Sequence, residues 1–92
     1  MKKFKTGLLM QTRGIENLIK ESEKAADFIF DSLIRYYKGD WGEMCQEDKE
    51  CNDYAVNHNE RIFAAYRNDD FKIWIITEWD RSYTTILLPE EY

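Results

Sequence analysis

Apolar residues recur every three or four positions through the first half of the chain, then alternate or run together through the second. Ile15, Leu18 and Ile19 stand at i, i+3 and i+4, which predicts a short helix over 13–21. Thr12 is placed to cap it, and Glu16 puts an acid in its first turn. Ser22 can cap a second helix with an apolar stripe of Ala26, Ile29, Phe30, Leu33, Tyr36 and Tyr37. Gly39, beside Lys38, stands where that helix should end. A third helix is expected over 47–58, with Cys51, Tyr54, Ala55 and His58 on its apolar face and Asn57-His58-Asn59 as its stop.

Beyond residue 60 the periodicity is that of strands. The runs 61–67 (RIFAAYR), 71–78 (FKIWIITE) and 82–88 (SYTTILL) are separated by short polar turns, and Pro89 stops the last. The middle run is apolar on both faces, as a central strand would be, and this places Trp74 in the core. A short strand around 8–11 closes a basic lead-in. The pattern predicts an α+β fold in a single domain, 1–92: two to three N-terminal helices packed on a C-terminal three-stranded antiparallel meander.

Charge sharpens this picture. The net charge is −5, with +3 over residues 1–24 (six basic, three acidic) and −6 over 40–60 (seven acidic, one Lys). Nucleic-acid affinity rests mainly on neutralising phosphates, so an acidic chain with only a small basic patch (Lys2, Lys3, Lys5, Arg13, Lys20) is not expected to bind nucleic acid. Nothing approaches a membrane span in length, and Leu8-Leu9-Met10 is too short an apolar run for a secretory leader. Cys45 and Cys51 lie about 240° apart round a helix and would not meet across it, which fits a reduced, cytoplasmic protein. Cys45, Cys51 and His58 match no structural zinc spacing and lack a fourth ligand. With one His, no nucleophile elbow and no phosphate loop, the chain is expected to be non-catalytic and without a cofactor.

The segments GDWG (39–42), EDK (47–49), ND (52–53) and KIWIITEWDRSYTTILLPEEY (72–92) together resemble a family of small bacterial and phage proteins usually labelled "plasmid-related protein". Some of its members carry the name of a type I restriction endonuclease modification subunit. A modification methyltransferase needs a Gly-rich cofactor turn, and none of the four glycines here is arranged so. The resemblance covers essentially the whole chain. This sequence departs from the family pattern at Arg13, where Pro is common, and at Trp79, where a small residue is common. The resemblance implies a mobile-element setting, phage or plasmid, in a bacterial host. By analogy with other small acidic proteins of that setting, it implies a protein that binds and modulates a host or phage protein in counter-defence.

Ten residues inside these segments are the protein-binding candidates: Asp40, Trp41, Glu47, Asp48, Asn52, Asp53, Glu78, Trp79, Asp80 and Arg81. A Trp beside an Arg on a hairpin tip is a usual pair of interface anchors. The competing reading is structural, with Asp80 closing the turn through backbone N–H groups and Arg81 forking onto Asp40 or Asp48. Two further readings remain: a small enzyme with an acidic pocket around Asp40, Glu47, Asp80 and Arg81, and a homodimer joined through an exposed sheet edge.

Overall fold

A computed structural model describes residues 4–92, so the first three residues of the basic lead-in lie outside it. The order is β1 (Leu8–Gln11), α1 (Arg13–Glu21), α2 (Glu23–Tyr37), α3 (Gln46–Val56), β2 (Ile62–Arg67), β3 (Lys72–Thr77), β4 (Tyr83–Leu87) and a 3-10 turn, Pro89–Glu91. Both expected helix starts form: the hydroxyls of Thr12 and Ser22 accept from the N–H groups of Ile15 and Ala25. The turn after β2 is held by Asn68, whose Oδ1 accepts from the N–H groups of Asp70 (2.9 Å) and Phe71 (2.8 Å).

The fold is α+β, but the sheet differs from a three-stranded antiparallel meander. It has four strands in the order β1-β4-β3-β2, and β1 runs parallel to β4. The meander β2-β3-β4 forms as expected, with β3 central. β1 then fills the edge beside β4, because the N-terminal segment is fastened there at several points. Leu8 N–H donates to Ser82 O (3.1 Å), Thr12 N–H to Ile86 O (3.1 Å), and the Thr84 hydroxyl to Thr6 O (2.7 Å). Gly7 permits this approach: it has φ +62°, and a Cβ there would sit 2.3 Å from Arg81 O.

All three helices lie on one face, α1 over β4, α2 over β3 and α3 over β2. Ile15, Ile29, Tyr36, Trp41 and Ala55 meet Ile62, Ala64, Tyr66, Ile73, Ile75 and Ile86 in one core. The face α2 buries is rotated from the expected stripe. Ala25, Ile29, Ser32 and Tyr36 point inward, while Phe30 is exposed. The core accepts Ser32 because its hydroxyl donates to Phe28 O (2.8 Å). It accepts the Tyr36 hydroxyl through a chain to Thr77 (2.6 Å), Thr84 (2.7 Å) and Thr6 O. Burial pushes the Tyr36 phenol well above its usual range, so it stays protonated.

α3 also presents a different face from the one expected. Asn52 and Ala55 are buried, whereas Cys51, Tyr54 and His58 are exposed. The Asn52 amide docks on the backbone of Phe63 from both sides, its Nδ2 donating to Phe63 O (2.7 Å) and its Oδ1 accepting from Phe63 N–H (3.2 Å). A polar residue therefore faces the sheet because it extends the hydrogen-bonding of β2. Tyr54 and His58 stack on each other in solvent, with ring centres 3.7 Å apart.

Among the described residues none of the three α-helices lies on the opposite sheet face, where Tyr92, just after the 3-10 turn, packs on Trp74. Trp74 lies there half-buried rather than in the core, between Phe63 (4.9 Å) and Tyr92 (5.5 Å). The alternation of β3 sends Ile73, Ile75 and Thr77 to the helices, so Trp74 must take the outer face.

Candidate functional site

The hairpin between β3 and β4 gathers the last four candidates, Glu78, Trp79, Asp80 and Arg81. Arg81 N–H donates to Glu78 O (3.0 Å), and Glu78 N–H to Tyr83 O (3.1 Å). Asp80 Oδ1 accepts from the Ser82 hydroxyl (2.6 Å) and the Ser82 N–H (3.0 Å). These bonds, the hydroxyl first, hold the Asp80 carboxyl below its usual range. The expected turn-closing role of Asp80 is therefore present.

Arg81 takes a different partner set from the one expected. Its guanidinium reaches four main-chain carbonyls: Ala55 O (2.6 Å) from Nη2, and Glu60 O (2.7 Å), Glu78 O (3.1 Å) and Trp79 O (3.4 Å) from Nη1. It forks onto neither Asp40 nor Asp48. Ala55 is in the last turn of α3, where orphan carbonyls and the negative helix end favour a cation. Arg81 thus ties the hairpin to α3, and it does so from a left-handed backbone, φ +61°. Glu78 is half-buried, with its carboxylate 3.7 Å from Arg61.

Trp79 stands on this braced turn 62% exposed. The turn bonds run through Glu78, Asp80, Arg81 and Ser82, and the indole takes part in none of them. The result is a large aromatic displayed on a rigid base, which lowers the ordering cost of binding.

The other candidates lie elsewhere. Trp41 is 3% exposed and sits in the core against Phe4 and Tyr36, so it does not join Trp79 on a common surface. Its Nε1–H donates to Asp53 Oδ1 (2.9 Å), which fixes the loop after α2 to α3. Asp40 is clamped by Arg35 through Nε–Oδ2 (2.7 Å) and Nη2–Oδ1 (3.1 Å). That guanidinium, aided by Gly42 N–H, holds the Asp40 carboxyl below its usual range. Asn52 is spent on Phe63, as described above. Glu47 and Asp48 are exposed in the first turn of α3. Asp40, Asp80 and Arg81 are each held by separate partners, so these acids and this Arg do not converge on one pocket.

Three features had no place among the candidates. β1 is exposed along its whole length. The outer sheet face carries Phe63, Trp74, Tyr83 and Tyr92, and Arg61 lies over the Tyr92 ring at 5.6 Å. Glu91 accepts from the Thr12 hydroxyl (2.5 Å), Leu88 N–H (2.9 Å) and Gly14 N–H (3.0 Å), so the last residues cap the first helix. An acid placed just after Pro89 offered a sequence signal only for the local bond to Leu88.

Among the described residues no group of three His, Cys, Asp or Glu is placed to hold a metal ion, and no helix is long and apolar enough to cross a membrane. Cys45 and Cys51 are free and exposed. Compared with family models, curated proteins and solved structures, the chain matches none.

Proposed function

We propose that this chain is a non-catalytic protein-binding domain of a mobile element, which engages a host or phage protein in the bacterial cytoplasm and modulates it in counter-defence. The observation that carries the binding reading is Trp79: an exposed indole on a turn whose rigidity depends on its neighbours. Interfaces draw most of their energy from a few such aromatic anchors, and a pre-ordered loop spends little of that energy on becoming ordered. The acidic first turn of α3 supports a partner with a basic rim, since charge at an interface edge steers association. The mobile-element setting rests on the family resemblance of the 39–53 and 72–92 segments.

The test is affinity capture from a bacterial host lysate with the wild-type chain, Trp79→Ala and Phe30→Ala. Phe30 is equally exposed, at 63%, but lies on α2. A stoichiometric partner kept by Phe30→Ala and lost by Trp79→Ala is the expected result. A partner retained equally by both variants would remove Trp79 from the interface.

A further inference from the structure

Arg67 and Lys72 stand directly opposite each other, at the end of β2 and the start of β3. Like charges in such a cross-strand pair destabilise a sheet. Among the described residues neither side chain takes part in an ion pair or a hydrogen bond; the ion pairs lie elsewhere, at Glu16–Lys20, Arg35–Asp40 and Arg61–Glu78. Two cations are therefore held side by side with no partner of their own.

Strand alternation puts this pair on the outer sheet face, with Phe63 and Trp74. Trp74 follows Lys72 by two residues, and its cross-strand neighbour is Ala65, whose methyl group leaves space beside the indole. Phe63 (4.9 Å) and Tyr92 (5.5 Å) hold the indole in place. The loop before α3 supplies a wall. Gly42 bridges Ala65, and Glu43 N–H donates to Ala65 O (2.7 Å), which brings Glu43 and Met44 to the rim. Only Gly fits this approach, because φ is +76° and a Cβ would lie 2.1 Å from Ala65 O. The result is an open groove of about 400 Å³, aromatic along its floor and cationic at one end. Small-molecule sites span roughly 300–1,000 Å³.

We propose that this groove binds a nucleoside monophosphate, with its base against Trp74 and Phe63 and its phosphate between Arg67 and Lys72. A phosphate accepts from a guanidinium fork and an ammonium together, so it turns the repulsion of the pair into attraction. Two residues of strand separate Trp74 from Lys72, roughly 7 Å. A ribose bridges such a gap between a base and its phosphate, whereas a phosphate carried directly on an aromatic ring would stand closer to that ring.

The acids nearby narrow the choice further. Glu43 lines the groove, and Asp69 lies past Arg67 in the adjoining hollow. Both oppose a bare anion, so a stacked base must bring the phosphate in. Glu43 can accept from the ribose hydroxyls. A polynucleotide would carry many phosphates toward a chain of net charge −5, while a mononucleotide brings one phosphate to two cations. The groove lies at the opposite end of β3 from Trp79, so this inference is independent of the binding role of the hairpin, and either can fail alone.

The test is NMR titration of the wild-type chain with AMP, adenosine and inorganic phosphate, read at the Trp74 indole N–H and the backbone amides of β2 and β3. Stacking tolerates any base, so AMP is a fair probe. An open groove predicts modest affinity for AMP, with Kd on the order of 100 µM. Adenosine and phosphate, each lacking half of the contacts, should bind at least about tenfold more weakly. The Trp41 and Trp79 indoles should not shift. Arg67→Gln and Lys72→Gln should each weaken AMP about tenfold and leave adenosine unchanged. Both residues are exposed, and removing one of two facing cations should keep or raise the melting temperature of the free protein. No saturable shift at Trp74 up to about 5 mM AMP, well above the expected Kd, overturns the proposal. So does AMP binding that both variants leave unchanged, and so does phosphate binding as tightly as AMP, which would reduce the pair to a simple anion site. A single-stranded oligonucleotide bound at least about tenfold more tightly than AMP would give the groove to nucleic acid and equally overturn it.

Discussion

Removing the Arg81 side chain should loosen the fold more than any other change on the hairpin. Its guanidinium donates to four carbonyls, at 2.6, 2.7, 3.1 and 3.4 Å. Hydrogen bonds from a charged donor contribute about 1.5–3 kcal/mol each, and partial exposure argues for the low end or less. Arg81→Ala is therefore expected to cost about 2–4 kcal/mol, a large share of the stability of a domain this small. The backbone supplies an internal control, since φ is +61°. Arg81→Gly loses the same side-chain bonds but relieves a strain of about 1 kcal/mol, so it should be more stable than Arg81→Ala by about that amount. Urea unfolding of the three proteins, followed by circular dichroism, measures both differences. An Arg81→Ala variant within about 0.5 kcal/mol of wild type would refute the bracing role. Equal stability of the Ala and Gly variants would refute the strain.

Three further outcomes follow from other contacts. Asn52→Ala leaves both Phe63 backbone groups without their partner and should cost about 2–3 kcal/mol in the same unfolding assay; a loss below about 0.5 kcal/mol would mean water replaces the amide. Glu91 has its carboxyl held below the ordinary 4.5 by the Thr12 hydroxyl and then by two N–H groups, so its contribution is complete above about pH 4.5 and is lost as pH falls through the lower folded value. Glu91→Gln should lower stability at pH 7 by less than about 1 kcal/mol and make the acid limb of a pH–stability curve shallower, whereas an unchanged acid limb would place the titration elsewhere. Asp40 and Asp80 shift in the same direction, so the stability of Glu91→Gln should itself keep declining below about pH 4, and a flat curve there would contradict both.

Local pattern carried much of this architecture. Thr12 and Ser22 cap the helices they precede, Asn68 makes its turn, and the three C-terminal runs pair in order. What sequence could not supply was decided by contacts distant along the chain. β1 has no alternation of its own to declare a partner, and its place beside β4 depends on Gly7 passing close to the Arg81 and Ser82 carbonyls. The inward face of α3 was misread because Asn52 is polar, and only the register of β2 reveals that its amide has a backbone to pair. Ser32 misled in the same way on α2. On the hairpin, Asp80 acts on a residue two positions away and was legible, whereas the carbonyls that hold Arg81 come from Ala55 and Glu60, over twenty positions upstream.

The functional reading stands on the claim that Trp79 serves no part of the fold. The unfolding free energy of Trp79→Ala, measured by circular dichroism, tests it most directly. The account predicts a value within about 0.5 kcal/mol of wild type, as for an exposed side chain that takes no part in the turn's hydrogen bonds. A loss of about 2 kcal/mol or more would show that the indole packs into the molecule and is not held out for a partner.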